Sequence, residues 1–402
     1  MDLSFVPKKI LARLRWAAHW RCTEPVVVFE SDDWGLQRGG NLSAFTPYGK
    51  PKVWAAELTE TPAALHALFA VLESHRDRYG RPAIFTANFI TANPDFEAIE
   101  TIHFSEYADA PISTNLELLP AWKTGLERGV FYPQYHGRSH INVQNWLEDL
   151  QQNVPGARAL FTKRQNGGLS LLENAQWRYH SEYINWRTGE MRPNRGLISW
   201  MRDGLGYFQD VFGFFPKSSI APHYVLPASV LPVWYQLGLR FVQGGNFHIL
   251  RDPQSGQQIY CHHVMGERST AGLVYLVRNI RFEPRSGQIN RGVEAAWRQI
   301  EGCFKAGIPV VVDTHRINYT GPWQTEARQA LSELLTRIIA YQPRFMTSSE
   351  LGEAIHSGGT YRNALDQKEH TLQTKQSFSG NLLRKLFSYH HSQLTIKPQA
   401  EK

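Results

Sequence analysis

Residues 26–35 read "VVVFESDDWG". Three valines and a phenylalanine make a short apolar run of the kind that forms a buried strand. Glu30, Asp32 and Asp33 then follow within four positions. Carboxylates gain nothing from burial and need partners, metal or water. In folds that alternate strand and helix, sites are built at strand ends. The stretch therefore poses two questions: whether the chain alternates in this way, and what meets the acids.

The alternation is present. Apolar, β-rich runs occur at 26–30, 83–89, 130–135, 218–221, 240–243, 274–280, 308–314 and 344–347. Amphipathic patterns separate many of them, at 62–75, 143–152, 228–237, 293–306 and 325–341. Such a series predicts a parallel sheet covered by helices, and about eight strands predict a closed or nearly closed barrel. The barrel is expected over 23–358. Residues 156–198 read as an insertion, polar but interleaved with Trp177, Tyr179, Tyr183 and Trp186, that forms either a substrate wall or a decorative subdomain. Beyond 359 the pattern weakens: 366–379 reads as linker, and "NLLRKLF" from Asn381 as a short amphipathic helix.

The net charge of +7 is uneven. Residues 1–22 carry five basic residues against Asp2, and residues 361–402 carry seven basic against three acidic. The middle is nearly neutral, whereas a nucleic-acid enzyme places its basic patch on the working domain. No nucleic-acid partner is expected. Cys22, Cys261 and Cys303 lie far apart, in neither a zinc spacing nor a disulfide framework, which fits a reducing compartment. No apolar run reaches the ~18 residues of a membrane span, and charges interrupt "KKILARLRWAAHW" where a signal peptide has its apolar core. The expectation is a cytoplasmic chain. Ile10, Leu14, Ala17 and Ala18 share one helical face, flanked by Trp16 and Trp20. Such a helix over 8–20, assisted by 381–387, either lies on the inner face of a membrane or packs on the barrel. The oligomeric state is open.

Three strand ends carry candidate chemistry: Asp32-Asp33, "YHGRSHIN" with His136 and His140, and "VVVDTHRINY" with Asp313 and His315. Histidines at i and i+4 on a helical turn share a face about 5–6 Å apart at Cβ, a spacing for one divalent ion. Two histidines and a carboxylate leave room for a water, whose proton a second carboxylate can take. Asp33 is thus expected as ligand and Asp32 as general base. Neighbours on a straight strand point to opposite faces, so the chain must turn there; Trp34-Gly35 is the expected place, Gly35 being free to take positive φ. The alternative is that both acids cap the next segment. His315 is the candidate acid for the leaving group. Asp313, two residues earlier on the same strand face, either holds or tunes that imidazole or pairs with Arg316 or a backbone amide. His248, His262 and His263 read as structural rather than catalytic, though His248 could line the pocket. The Asn88 amide suits a sugar hydroxyl or a turn.

"ESDDWG", "HGRSH", "APHY" and "DTHRINY", in this order, resemble the metal-dependent polysaccharide deacetylases of the glycoside hydrolase/deacetylase β/α-barrel superfamily. The resemblance spans about residues 24–350 as a series of short motifs. It implies an α/β fold, a distorted seven- or eight-stranded β/α barrel, here with an insertion and short basic terminal extensions. It implies a metal, usually zinc, on Asp33, His136 and His140, with Asp32 as base and His315 as catalytic histidine. It places the oxyanion-stabilising tyrosine on Tyr224. The family's base-steering arginine has no counterpart, since Ile220 or Ala221 stands there; Arg278, Arg281 and Arg316 are the candidates to replace it.

The expected function is a divalent-metal hydrolase that removes N-acetyl groups from a sugar or glycan, with a carbohydrate as substrate. The alternatives are a non-catalytic glycan-binding protein on the same barrel, or a hydrolase of another C–N amide or glycosidic bond. A non-haem iron oxygenase also uses two histidines and a carboxylate, but on a β-rich fold that the strand–helix alternation disfavours.

Overall fold

The computed structural model describes residues 8–37, 52–173, 179, 181–185, 196–252, 255, 257–285, 289–375 and 378–395. Nine strands form its central sheet: β1 (Val26–Trp34), β2 (Phe85–Phe89), β3 (Phe131–Tyr135), β4 (Ser218–Ile220), β5 (Phe241–Gly244), β6 (Val274–Val277), β7 (Ile280–Arg281), β8 (Val310–His315) and β9 (Arg344–Phe345). Their order is β6-β5-β4-β3-β2-β1-β8-β7, and every pairing is parallel. Each expected strand is present.

The expected strand at 274–280 is two. β6 pairs with β5, at one edge of the sheet, and β7 with β8, at the other. Only Arg278 and Asn279 separate them. The Arg278 N–H donates to Gly244 O (2.8 Å) and the Asn279 N–H to Val311 O (3.1 Å). One bent segment thus crosses between the two edges and closes the sheet into a ring. β9 is a short extra stave on the start of β1, pairing Val26 with Arg344 and Val27 with Phe345. It lies opposite β8, where β2 takes over from Phe29 onward.

All nine residues of β1 are buried, as expected of a parallel strand covered on both faces. Val27 and Phe29 pack outward with Phe85, Phe131 and the helix Pro62–Glu73. Val26 and Val28 pack in the opposite direction with Phe241, Leu276, Val311 and Met346. Glu30 and Asp32 continue that inward series, so the lower bore is apolar and the upper bore polar. The helix Ser348–His356 adds Leu351 and Ala354 to the apolar layer. It starts at the capping box of Thr347 and Glu350, legible in "TSSE".

The helices Pro62–Glu73, Val143–Gln151, Val230–Gln236, Val293–Ala306 and Gln324–Ile339 lie where the sequence places them. Residues 366–375 differ from the expected linker. Glu369–Thr371 pairs with Thr360–Arg362, and Thr374 bridges to Cys22. The N-terminal helix Lys8–Ala18 packs Leu11, Leu14 and Ala18 against Leu383 and Phe387 of the helix Phe378–Thr395. Ile10 and Trp16 are exposed. No helix among the described residues is long and apolar enough to cross a membrane.

Candidate active site

The β1–β2 register shifts between Ser31 and Trp34, and Asp33 takes φ +73°. This bulge, together with the expected turn at Trp34-Gly35, where Gly35 takes φ +79°, brings both acids to one site. Trp34 swings outward onto Phe131, ring centroids 4.9 Å apart, and its indole N–H donates to Ser31 Oγ (3.0 Å). His140, His223 and Tyr224 also hold positive φ, at 67°, 53° and 59°. Side chains rarely adopt such backbone, and its concentration around one cavity marks a site that the surrounding fold constrains.

Asp33 Oδ1 lies 3.5 Å from His136 Nε2 and 3.6 Å from His140 Nε2. His136 Nδ1 lies 3.1 Å from Ile220 O, so that nitrogen carries the proton and Nε2 presents a lone pair. Binding of the second ring nitrogen to a carbonyl is the usual arrangement behind a metal-ligating imidazole. Carboxylate oxygen and neutral imidazole nitrogen are both acceptors. Their convergence requires protons or a cation between them, and the donor atoms of all three residues lie within 4.8 Å of one another. Asp33, His136 and His140 fit a divalent metal ion.

Behind this triad lies a second group, Asp32, Asp313 and His315, whose donor atoms are also within 4.8 Å of one another. Here a guanidinium already supplies positive charge. Arg278 donates from Nη2 to Asp32 Oδ1, from Nη1 to Asp32 Oδ2 and from Nη1 to Asp313 Oδ1, each at 2.7 Å, and from Nε to Glu30 Oε2 at 2.6 Å. Asn88 adds a bond to Asp32 Oδ1 (2.8 Å) and another to Gln243 (2.7 Å). Asn88 is therefore a buried support of Asp32, neither a sugar contact nor a turn residue. Burial raises the Asp32 carboxyl, but the charge and hydrogen bonds of Arg278 outweigh it and hold the group well below the usual carboxylate range. For Glu30, farther inside, burial wins and pushes the carboxyl up to about 7.

Of the three candidate arginines, Arg278 stands on Asp32. Arg316 is fully buried between Glu57 and Glu60 and donates to Leu36 O. Arg281 is half-exposed, 4.0 Å from Asp313.

His315 Nδ1 meets Glu283 Oε1 at 2.5 Å. Glu283 is itself held by Arg285 (2.6 Å) and Asn318 (2.8 Å). Trp54 packs edge-on against the imidazole at 4.8 Å, with the Arg285 guanidinium 4.7 Å from the Trp54 ring. Burial lowers the pKa of His315, but Glu283, Asp313 and Asp32 together raise it to about 10. The ring is an imidazolium at neutral pH, and its Nε2 lies 3.9 Å from Asp32 Oδ2. The partner expected for it, Asp313, instead bonds Arg278 and accepts from the Tyr224 hydroxyl at 3.4 Å. Asp313 acts on His315 through its charge alone, because Arg278 competes for its oxygens. Tyr224 sits at this arginine layer: its N–H closes a turn on Ala221 O (2.9 Å), and its hydroxyl also accepts from Arg278 (3.4 Å).

Asp33, His136 and His140, with Asp32 and His315 of the second group, line a cavity of about 310 Å³. Asn166, Gly167, Ser170 and Leu171 of the insertion form one wall, with Lys52 and Trp54 beside them. Only this part of the insertion lines the cavity; Tyr179 and Tyr183 are buried in an apolar cluster with Trp146 and Trp234, and Trp177 and Trp186 lie outside the described residues. His248 is packed on His263, which bonds Glu267 (3.2 Å) and stacks on Tyr275 (3.7 Å). Glu283 and Trp54 escaped the sequence reading, since nothing in "RFEPR" or "KVWAA" carries a ligand spacing.

No family model matches the chain, and no curated protein matches it. Solved structures do. The alpha-amylase AmyC from Thermotoga maritima is 8% identical, with 92% of this chain and 80% of that chain covered and a TM-score of 0.41. The 4-alpha-glucanotransferase from Thermococcus litoralis is 11% identical, with 82% of this chain covered but 40% of that chain, and a TM-score of 0.40. The peptidoglycan deacetylase PdaC from Bacillus subtilis is 10% identical, with 83% and 93% covered and a TM-score of 0.33. Deacetylases recur among the matches, a polysaccharide deacetylase from Mycobacterium smegmatis among them. At these scores the likenesses carry no argument, and the functional reading rests on the site itself.

Proposed function

We propose that the chain is a divalent-metal-dependent hydrolase that cleaves the amide of an N-acetylated sugar. The observation that carries this is the juxtaposition, in one cavity, of an all-acceptor triad with a carboxylate clamped by a guanidinium and a histidine bonded to a glutamate. Two imidazoles and one carboxylate, with positions left for water and substrate, suit zinc. Asp33, His136 and His140 would hold the ion, which would lower the pKa of a bound water and polarise the substrate carbonyl.

The chain's own residues supply the rest. Asp32, kept ionised and oriented by Arg278 and Asn88, accepts the proton of the attacking water. His315, kept protonated by Glu283, donates a proton to the departing amine. Tyr224, at the cavity wall, is the candidate neighbour of the developing oxyanion. Asp313 shares the Arg278 charge and supports the positive charge of His315.

The non-catalytic alternative drew its strength from the absent motif arginine. Arg278 supplies a bidentate guanidinium on Asp32 from the joint between β6 and β7, and this favours the hydrolase. Elemental analysis of protein purified without added metal, followed by acetate release from a panel of N-acetylated sugars, tests the reading. Protein without metal, or metal-loaded protein that releases no acetate, overturns it.

A further inference from the structure

His136 and His140 converge on Asp33 although no helix joins them. Residues 136–142 form neither helix nor strand, and Gly137 and His140 take φ +98° and +67°. Such a loop holds two imidazoles only as firmly as its own backbone is held. Toward β2 the ties are main-chain bonds. The His136 N–H donates to Phe89 O (2.8 Å), the Thr91 N–H to Gly137 O (3.2 Å) and the Ala92 N–H to Arg138 O (2.8 Å). Further ties run to the insertion. The Asn142 N–H donates to Tyr179 O (3.0 Å), the Asn142 side-chain amide to Ile184 O (3.0 Å), and the Arg138 N–H to Glu182 Oε1 (2.9 Å).

Glu182 is 1% exposed. Its other oxygen, Oε2, accepts from the indole N–H of Trp200, on the helix Leu197–Phe212. The Arg138 guanidinium lies over that same ring, 4.2 Å from its centroid, and donates to Asp109 (2.7 Å) and Asp203 (3.1 Å). A residue between the two histidines is thus gripped by its backbone from Glu182 and by its side chain from Trp200, Asp109 and Asp203. Gly137 leaves no space between loop and carboxylate, since a Cβ there would collide with Glu182 Oε1. A buried carboxylate is costly, and Glu182 sits among the apolar cluster that holds Tyr135, Tyr183 and Trp200. Both of its oxygens accept N–H bonds, which no amide or apolar side chain of this size can do.

We propose that Glu182 is a positioning residue for the metal-ligand loop: it fixes the backbone between His136 and His140 so that both imidazoles meet Asp33, and the insertion thereby contributes to metal affinity from outside the ligand set. The proposal takes its ligands from the hydrolase reading, but its own observable is metal binding.

The test is zinc affinity of the full chain, measured by competition with a chromophoric chelator, with the visible absorption of the Co(II)-loaded protein as a second readout. Glu182→Gln keeps the shape of the side chain but aims a donor at one of the two N–H groups. It is expected to weaken zinc binding about 10–100-fold and to alter the Co(II) spectrum. A glutamate that only supports the fold would lower the unfolding midpoint of the metal-free protein and leave the zinc affinity of the folded protein unchanged. Trp200→Phe removes the donor to Oε2 but keeps a ring, and it is expected to weaken zinc binding by a smaller factor; it decides the matter if Glu182→Gln does not fold. Wild-type zinc affinity in folded Glu182→Gln, or in Trp200→Phe where that variant alone folds, overturns the proposal. Acetate release is scored separately. Glu182-dependent zinc binding without acetate release upholds the clamp and sinks the hydrolase; acetate release with zinc affinity indifferent to Glu182 does the reverse, and a wild type that binds no zinc overturns both.

Discussion

Arg278 holds Asp32 by both carboxylate oxygens, each at 2.7 Å, from the joint where β6 gives way to β7. The fork geometry of a guanidinium fixes the plane of the carboxylate as well as its charge. The guanidinium charge thereby holds the Asp32 carboxyl below the usual carboxylate range and aims it at one place, beside Asp33, His136 and His140.

Arg278→Gln should abolish turnover and destabilise the fold by ~3–5 kcal/mol, because Asp32, Asp313 and Glu30 are left buried without their cation. Arg278→Lys should recover part of the stability but little activity, since a point charge cannot make the bidentate contact. Denaturant unfolding and acetate release measure the two effects. An active Arg278→Gln enzyme removes Asp32 orientation from the mechanism.

His136→Ala and His140→Ala should each lose bound metal, while Asp32→Asn keeps metal and loses turnover. Elemental analysis beside an activity assay reads both. Equal metal loss in Asp32→Asn and Asp33→Asn makes both aspartates ligands.

His315→Ala should slow turnover ~10²–10⁴-fold, the usual contribution of a general acid, with metal content unchanged. Because Asp32, Asp313 and His315 also converge within 4.8 Å, metal loss in this variant assigns the ion to that second group.

The pH profile should separate Glu283 from a merely structural partner. The pKa of His315 is raised to about 10, so the protonated acid is present below that value and activity falls as pH rises through it. Stability follows the same sign: the contribution of the His315–Glu283 pair is complete below the ordinary histidine range and is lost on the way up to about 10. Glu283→Gln removes the counter-charge and should move the alkaline limb of kcat down by ~1–3 pH units. A limb that stays in place assigns the acid to another group.

Much of this site is legible in the sequence because its parts are local. Asp32-Asp33, the pair His136 and His140, and the Asp313-Thr314-His315 strand end each stand out within a few residues of an apolar run, although the histidines converge from a loop with Gly137 and His140 at positive φ and not from the expected helical turn. What was illegible depends on the closure of the ring. Arg278 could only be named beside Arg281 and Arg316, although period two along β6 offered a discriminating signal: Leu276 packs into the bore, and Arg278 follows it by two. Glu283 follows the joint by a few residues, and its proximity to His315 arises only because β7 pairs with β8. The turn at Gly35 was legible, and Gly35 takes φ +79°, but the left-handed Asp33 before it was not, since an aspartate in that region is uncommon.

The bent segment that joins β6 to β7 also divides the chemistry by order of synthesis. All three candidate ligands, Asp33, His136 and His140, precede residue 141, whereas the partners that govern proton movement, Arg278, Glu283, Asp313 and His315, all follow residue 277. A nascent chain therefore displays its ligand half well before the base is clamped or the acid charged. The candidate ligands are thus carried by the first three staves, and the groups proposed to act on them arrive only with the bent segment, β7 and β8.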